Sequence, residues 1–402
     1  MKLLSKIQDN LRKLECKSML LAHKIELRPK ASQAEYLNKS CGSRRHCYNQ
    51  LLEHFSKPDN KWSKAAAYQY YIKVIRPAYP WYNEVSSRVT RNAIDDLDDA
   101  FKHFFRRVKK GGKPGFPKFK KKDINDSFAL REKTKFEVKG RKLRIEKLKT
   151  LIPMRQRLRF EGTPKQVAMS KQAGKYFASV LVDTTDYKDY SQNRSPSVGV
   201  DFGVKSLAVT SDNEVIPSNN KLKKSLKKLK HLSRSLSRKR KGSNRRAIAK
   251  QRLAKLHYRI AQQRKAVLHE LSHSLTANYD RIAIEDLNVK GMVRNRTLAR
   301  SIADAGFGML RQLIEYKAFL RGCTVELVDR FFPSSRMCSG CGQLHDITLA
   351  DRALACDCGL TIDRDLNAAI NLNRYRRDTL KPDVKRTQEP SKTALAASVW
   401  TV

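Results

Sequence analysis

Cys356–Leu372 reads CDCGLTIDRDLNAAINL, and the reading of these residues decides the fold. Two cysteines one residue apart have the look of metal ligands, and the glycine after them marks a turn. Two aspartates, Asp363 and Asp365, then open an alanine-rich helical pattern. Asp363 suits the N-cap, where its carboxylate accepts a helix-start N–H. Asp365, Ala369 and Leu372 share one helix face at i, i+4 and i+7, so Asp365 is the better metal ligand. Small Ala368 and Ala369 let that helix approach a sheet closely.

Working upstream, Cys338-x-x-Cys341 precedes the tighter pair Cys356-x-Cys358 by fourteen residues. The four thiolates fit a zinc site, with His345 and Asp357 as nearby substitutes for the tighter pair. Four thiolates leave no open coordination position, so the role is structural. The other cysteines, Cys16, Cys41, Cys47 and Cys323, are scattered. In a long chain without a secretion signal that pattern favours thiols and a metal over disulfides.

Two further carboxylates share the setting of Asp365. Asp201 lies in the apolar strand pattern of VGVDFGVKSLAV, and Glu285 ends another in YDRIAIEDLNV. A carboxylate in a buried strand is costly without compensation, and a divalent cation compensates. Asp201, Glu285 and Asp365 therefore form a candidate catalytic set for magnesium, of the type that activates water in phosphodiester hydrolysis.

The charge names the partner class. Lys and Arg total 84 of 402 residues against 39 acidic ones, a formal net charge of +45. A globule with that charge repels itself until a polyanion neutralises it. Hydrophobic residues make up 40%, enough for a real core. No apolar run reaches membrane-spanning length and the first residues lack a signal-peptide core. No membrane partner is expected.

Along the chain, MLLAHKIEL (Met19–Leu27) reads as a strand, and SQAE (Ser32–Glu35) reads as the capping box of a helix running to about Phe55. A second long helix is expected from Glu84 to Val108, with Val89, Ala93, Leu97, Ala100, Phe101 and Phe104 as its apolar stripe. Lys109–Lys122 interleaves lysines and aromatics, making Lys113, Phe116, Lys118, Lys120 and Lys121 candidate nucleic-acid contacts. Short alternating segments over 127–182 read as a small β domain. No acidic residue occurs between Glu214 and Glu270. That stretch reads as a helical pair broken near Gly242–Asn244, with Arg238, Lys239, Arg240, Arg245 and Arg246 facing nucleic acid. One helix is expected over Ala299–Arg321, then a strand in TVELVDRFFPSS.

With these motifs in place, the sequence resembles the TnpB (OrfB) family of insertion elements, related to the type V CRISPR effector nucleases. VGVDFGVKSLAV, IAIEDLNVKGM, FFPSSRMCSGCG and CDCGLTIDRDLNAAINL carry the resemblance, supported by MLLAHKIELRPKASQ and GKPGFPKFKKK. It implies a mixed α/β chain with an RNase H-like (RuvC) nuclease domain, an inserted zinc ribbon, and an N-terminal oligonucleotide-binding β domain with a helical insertion. By motif match, Asp201, Glu285 and Asp365 carry over as the catalytic carboxylates and the four late cysteines as zinc ligands.

The implied layout runs from an N-terminal extension at 1–18, before a second candidate start at Met19, to the strand and helix of a wedge-like β domain at 19–55. A helical recognition insertion follows at 56–112, and the rest of the β domain at 113–190. The nuclease domain covers 195–337, the zinc ribbon 338–358, the final nuclease helix 359–375 and a disordered tail 376–402. The implied function is RNA-guided DNA cleavage, with a guide RNA from the element's end and a target DNA as partners, in a monomer or an oligomer. The resemblance also implies a prokaryotic, cytoplasmic setting near the nucleoid. Two alternatives share the charge: an unguided nuclease, and a nuclease-inactive nucleic-acid-binding protein that regulates transposition.

Overall fold

The computed structural model describes residues 19–112, 115–184, 194–218, 221–348 and 351–375. The expected N-terminal extension, the expected tail and the candidate contact Lys113 lie outside the described residues. The chain divides near residue 186 into two compact units.

The first unit opens with β1 (Met19–Leu27), whose alternating burial sends Leu21, His23, Ile25 and Leu27 inward. Helix α1 (Ala31–Phe55) starts one residue before the expected capping box. Its entry is fixed by Gln33 instead, whose Oε1 accepts from Lys30 N at 2.9 Å. Helices α2 (Lys64–Tyr70) and α3 (Ser87–Lys109) follow. Val89, Ala93, Leu97 and Phe101 of α3 are all at most 3% exposed. Ala93, Leu97 and Phe101 meet Tyr48, Leu51, Leu52 and Phe55 of α1 and Ala67 of α2 in one apolar core. Ala100 and Phe104 are half-buried at its margin.

The strands return after these helices. β2 (Ser127–Leu130), β6 (Thr163–Gln172) and β7 (Lys175–Thr184) join β1 in an antiparallel sheet of order β1-β7-β6-β2. β3 (Phe136–Lys139), β4 (Lys142–Ile145) and β5 (Ile152–Pro153) form a second antiparallel sheet.

The second unit is built on a mixed five-stranded sheet. β8 (Ser195–Asp201), β9 (Ser206–Thr210) and β10 (Val215–Pro217) form an antiparallel meander. Helices α4 (Lys221–Ser237) and α5 (Asn244–Asn278) follow, broken where the sequence predicts. They lead to β11 (Tyr279–Glu285), which lies parallel to β8. After a short turn of helix, α6 (Val289–Met292), the expected single helix is two, α7 (Ala299–Ala305) and α8 (Phe307–Arg321). Gly306 separates them with φ +74°, a conformation that ends a helix and that glycine adopts without steric cost.

β12 (Thr324–Val328) runs parallel to β11 and completes the sheet order β10-β9-β8-β11-β12. The hairpin β13 (Ala353–Ala355) and β14 (Thr361–Asp363) leads into α9 (Arg364–Arg374). The even-numbered residues of the central strands, Val198, Val200, Ile282 and Ile284, pack against Leu268, Leu271 and Leu275 of α5 and Leu310, Leu313 and Ile314 of α8. On the odd face, Ala283 meets Leu372 of α9 and Tyr375. Strand periodicity thus gives the sheet two distinct faces, and α9 covers part of the second.

Candidate active site

Asp201 and Glu285 are the last residues of β8 and β11. The strands are parallel neighbours, with Gly199 opposite Ala283 and Val200 opposite Ile284. Both carboxylates are odd-numbered, so both point to the face that carries α9. That helix brings Asp365 in its first turn. Asp363 is the N-cap: its Oδ1 accepts from Asp365 N at 2.9 Å and Leu366 N at 3.2 Å. The division of labour expected between the two aspartates therefore holds at the cap.

Close approach of α9 depends on Gly199. A Cβ there would lie 2.0 Å from the Ala369 carbonyl oxygen and 2.4 Å from Asn373 N. Ala368 and Ala369 are 2% and 0% exposed, so small side chains on the helix and none on the strand let two backbones touch. Arg281, also on the odd face, donates to Asn373 O at 3.1 Å and Tyr375 O at 3.3 Å. It satisfies carbonyls at the C-terminal end of α9 that have no helical partner.

Asp201 feels both of the other acids. Burial, then the neighbouring charges of Asp365 and Glu285, push the Asp201 pKa up from 3.8 to about 7, with Arg364 opposing. Burial and Asp286 raise that of Glu285. Asp286, next in sequence, fares differently. Burial works against its ionisation, but Arg330 and Arg311 outweigh it and hold the carboxyl low. Each of those arginines sits 2.5 Å from one Asp286 oxygen. Of the two acids that end this segment, Asp286 is neutralised by protein, while Glu285 has no ion pair among the described residues. Arg364, 3.4 Å from Asp365 Oδ1, offsets this crowding of like charges only in part, and a divalent cation is the kind of ligand that would relieve it.

The sulfurs of Cys338, Cys341, Cys356 and Cys358 all lie within 4.8 Å of one another. Cys338–Cys358 and Cys341–Cys356 are separated by 3.7 and 3.5 Å. Tetrahedral zinc with Zn–S of about 2.3 Å needs S···S edges of about 3.8 Å, so the donor set fits that ion. The backbone N–H of Cys341, then that of Gly340, lower the Cys338 thiol to about 6, favouring the thiolate a metal requires. Among the described residues no other group of three or more His, Cys, Asp or Glu side chains is this tightly gathered.

Two asparagines that sequence reasoning missed connect cluster and carboxylates. Asn367 accepts from Ser339 N at 2.8 Å and donates to Met337 O at 2.8 Å. One turn later Asn371 donates to Ser334 O at 2.8 Å and Met337 O at 2.6 Å. Both are at most 1% exposed. The first cysteine turn is thereby fastened to the helix that carries Asp365. The i, i+4 asparagines inside a helix, a poor place for that residue, were the available signal.

The candidate nucleic-acid residues divide. Lys118 and Lys121 are exposed. Phe116 packs edge-on against Phe101 and Phe104, anchoring the loop while 46% exposed. Lys120 is engaged within its own unit, with Nζ 3.1 Å from Asp96 and 4.0 Å from the Tyr48 ring centre. In the other unit, Arg238, Arg240 and Arg245 are exposed. Arg238 and Lys239 line a basic hollow along α4 with Lys227, Lys230, His231 and Arg234. Arg246 turns inward and donates to Leu236 O at 2.7 Å and Lys239 O at 2.9 Å, closing the turn between α4 and α5.

Comparison with known proteins follows the same map. A family profile described as "Probable transposase", OrfB_IS605, matches residues 179–296. One described as "Cas12f1-like, TNB domain" matches 307–372, and a "Helix-turn-helix domain" profile of the OrfB group matches 19–57. That last segment folds here as β1 and the single helix α1. A Streptomyces pristinaespiralis protein named "Putative RNA-guided DNA endonuclease" is 31% identical over 87% of this chain and 88% of its own length. Escherichia coli InsQ, under the same description, is 29% identical over 88% of this chain and 91% of its own. Among solved structures, the Cas12f1 chain of a Cas12f1-sgRNA-target DNA complex aligns with a TM-score of 0.53 at 16% identity, over 86% of this chain and 83% of that one, a likeness of fold. Among the described residues no helix is long and apolar enough to cross a membrane.

Proposed function

The chain belongs to the TnpB (OrfB) family of insertion-element proteins, and on that premise we propose that it is an RNA-guided DNA endonuclease with a RuvC-like, RNase H-type carboxylate site. One observation carries the reading. The parity of two parallel strands places Asp201 and Glu285 on one sheet face, and α9 delivers Asp365 to that face. Magnesium suits these hard oxygen donors. When bound, divalent cations activate water and stabilise the leaving oxygen in phosphodiester hydrolysis. Three converging carboxylates could hold one such ion or share two.

The chain's own residues do the rest. Asp201 and Glu285 stand on paired strand backbones, so the positions from which their carboxylates reach out are set before substrate arrives. Arg364 lies near enough to oppose the rise in the Asp201 pKa, and its Nη2 is 3.4 Å from Asp365 Oδ1. It orients the acid whose place on a first helical turn is least constrained. In this reading zinc, held by Cys338, Cys341, Cys356 and Cys358, fixes the turn to which Asn367 and Asn371 attach. The zinc ribbon of residues 338–358 thus positions the nuclease helix of 359–375 against the nuclease domain of 195–337. Residues 19–55 and 113–190 serve as the wedge-like β domain and 56–112 as its recognition insertion. Exposed Lys118, Lys121, Arg238, Arg240 and Arg245 contribute charge toward the guide from the element's end and the target DNA. Base pairing reads the target sequence.

The test is sequencing of RNA that co-purifies with protein expressed from its native flanking DNA, followed by cleavage of the DNA matching that RNA. One dominant RNA ending at the element boundary, and magnesium-dependent cutting lost in Asp201→Ala, is the expected result. Random RNA with no directed cutting would overturn the guided reading.

A further inference from the structure

Phe331 is 86% exposed, more than any other large apolar side chain among the described residues. A scattered exposed hydrophobe is ordinary, but this one has a defined position and a fixed backbone. It lies three residues past Val328, which pairs in parallel with Glu285. The chain leaves β12 in a tight turn, where Phe331 N donates to Asp329 Oδ1 at 2.8 Å and Phe332 N to Asp329 O at 3.0 Å. Phe332 packs inward against Tyr375, with ring centres 5.0 Å apart. Of two adjacent phenylalanines, one anchors the turn and the other is held outward. Arg330, between strand and ring, is 2.5 Å from Asp286 and its side chain is 43% exposed.

We propose that Phe331 is a stacking platform for a base of the DNA strand entering the Asp201–Glu285–Asp365 site, a positioning residue that sets the register of the phosphate to be cut. The proposal rests on the nuclease reading above. Three physical points favour a nucleic-acid base over another occupant. The chain carries a net charge of +45, which draws polyanions to its surface. Arg330, next to Phe331 in the chain, pairs with Asp286 and its side chain is 43% exposed, so a phosphate beside the ring meets a guanidinium edge rather than a bare carboxylate. An aromatic face accepts any base, as required where the target sequence is chosen by pairing with RNA. A ring on a pinned turn also loses little freedom on stacking, so it fixes a nearby phosphate more tightly than a side chain on a loose loop would.

The experiment uses the full-length protein with its co-purified RNA and single-stranded DNA carrying 5-iodouracil, which crosslinks to a stacked aromatic ring on irradiation. In EDTA, wild type is expected to yield a crosslinked peptide containing Phe331, and Phe331→Trp to retain it. Phe331→Leu, which keeps bulk without a ring, is expected to lose it and to weaken DNA affinity by roughly ten-fold. In magnesium, Phe331→Leu should raise KM by a similar factor and spread the cut over neighbouring phosphates, and Phe331→Trp should restore both the KM and the single cut position. An unchanged KM in Phe331→Leu, or crosslinks only elsewhere, would overturn the proposal. If wild type cuts no DNA, the nuclease reading fails, while the crosslink still decides whether Phe331 stacks on a base. An unchanged thermal midpoint in Phe331→Leu identifies any loss as one of contact rather than of fold.

Discussion

Gly199 of β8 and Ala369 of α9 meet backbone to backbone: a methyl group on Gly199 would sit 2.0 Å from the Ala369 carbonyl oxygen. The helix that carries Asp365 can reach the strand that carries Asp201 only because this position has no side chain. Gly199→Ala should therefore push α9 outward rather than merely crowd a side chain. We expect a loss of about 3 kcal/mol, read as a lower urea midpoint, with cleavage lost in the same variant. A variant that cuts DNA normally would show that the approach of α9 does not matter to the site.

Asp201 sits half-buried among like charges, so its carboxylate opposes folding when no cation is bound. Asp201→Asn should abolish cleavage and, in EDTA, leave the protein as stable or more stable. A gain of about 1 kcal/mol would raise the thermal midpoint by roughly 2–4 °C. A clear fall in the metal-free midpoint would contradict the repulsion inferred from its neighbours.

The cysteine cluster and α9 should fail together. Cys338→Ser is expected to lower the zinc found by elemental analysis from one ion per chain and to destabilise the second unit. Asn371→Ala separates the two roles. It keeps all four sulfurs but takes from Ser334 O its 2.8 Å donor and leaves Met337 O to Asn367, at a cost of about 1–3 kcal/mol. Zinc should stay bound while cleavage declines. Zinc lost along with activity in Asn371→Ala would place the asparagine in metal binding instead.

Stability of the first unit should fall in mild acid because of His23. The ring is 6% exposed, and its Nδ1 accepts from Arg159 N at 3.2 Å. Burial, then the Arg159 charge, lower its pKa from 6.5 to about 4. The unfolded chain takes up the proton first, so this contribution is complete above pH 6.5 and is lost as pH falls from 6.5 towards 4. The full loss is about 3 kcal/mol, with about 2 kcal/mol of it gone at pH 5. Urea midpoints at pH 7.5 and 5 should converge in His23→Gln relative to wild type, and an equal pH dependence in both would rule His23 out.

Much of the molecule was legible in the sequence because its signals are local. Alternation in MLLAHKIEL gave β1, the helical stripe gave α3, and the spacing of four cysteines gave the cluster that the structure gathers. Asp363 as the cap of α9 also followed from residue type and position alone. The break at Gly306 and the start of α1 were misread where one backbone conformation or one side-chain hydrogen bond decided the boundary.

The tertiary structure decided which surfaces meet. The sequence determined that Asp201 and Glu285 end apolar strands, but only the parallel register of β8 and β11 puts them side by side. Lysines and arginines look alike in a list, yet Lys120 is engaged by Asp96 and Tyr48 and Arg246 by backbone carbonyls, while Arg238, Arg240 and Arg245 face water. Asn367 and Asn371 acquire their role only when the turn at Ser334–Ser339 arrives beside them. The reason is physical: periodicity and caps are fixed by neighbours a few residues away, whereas a side chain's partner depends on which distant backbone can come close enough to touch.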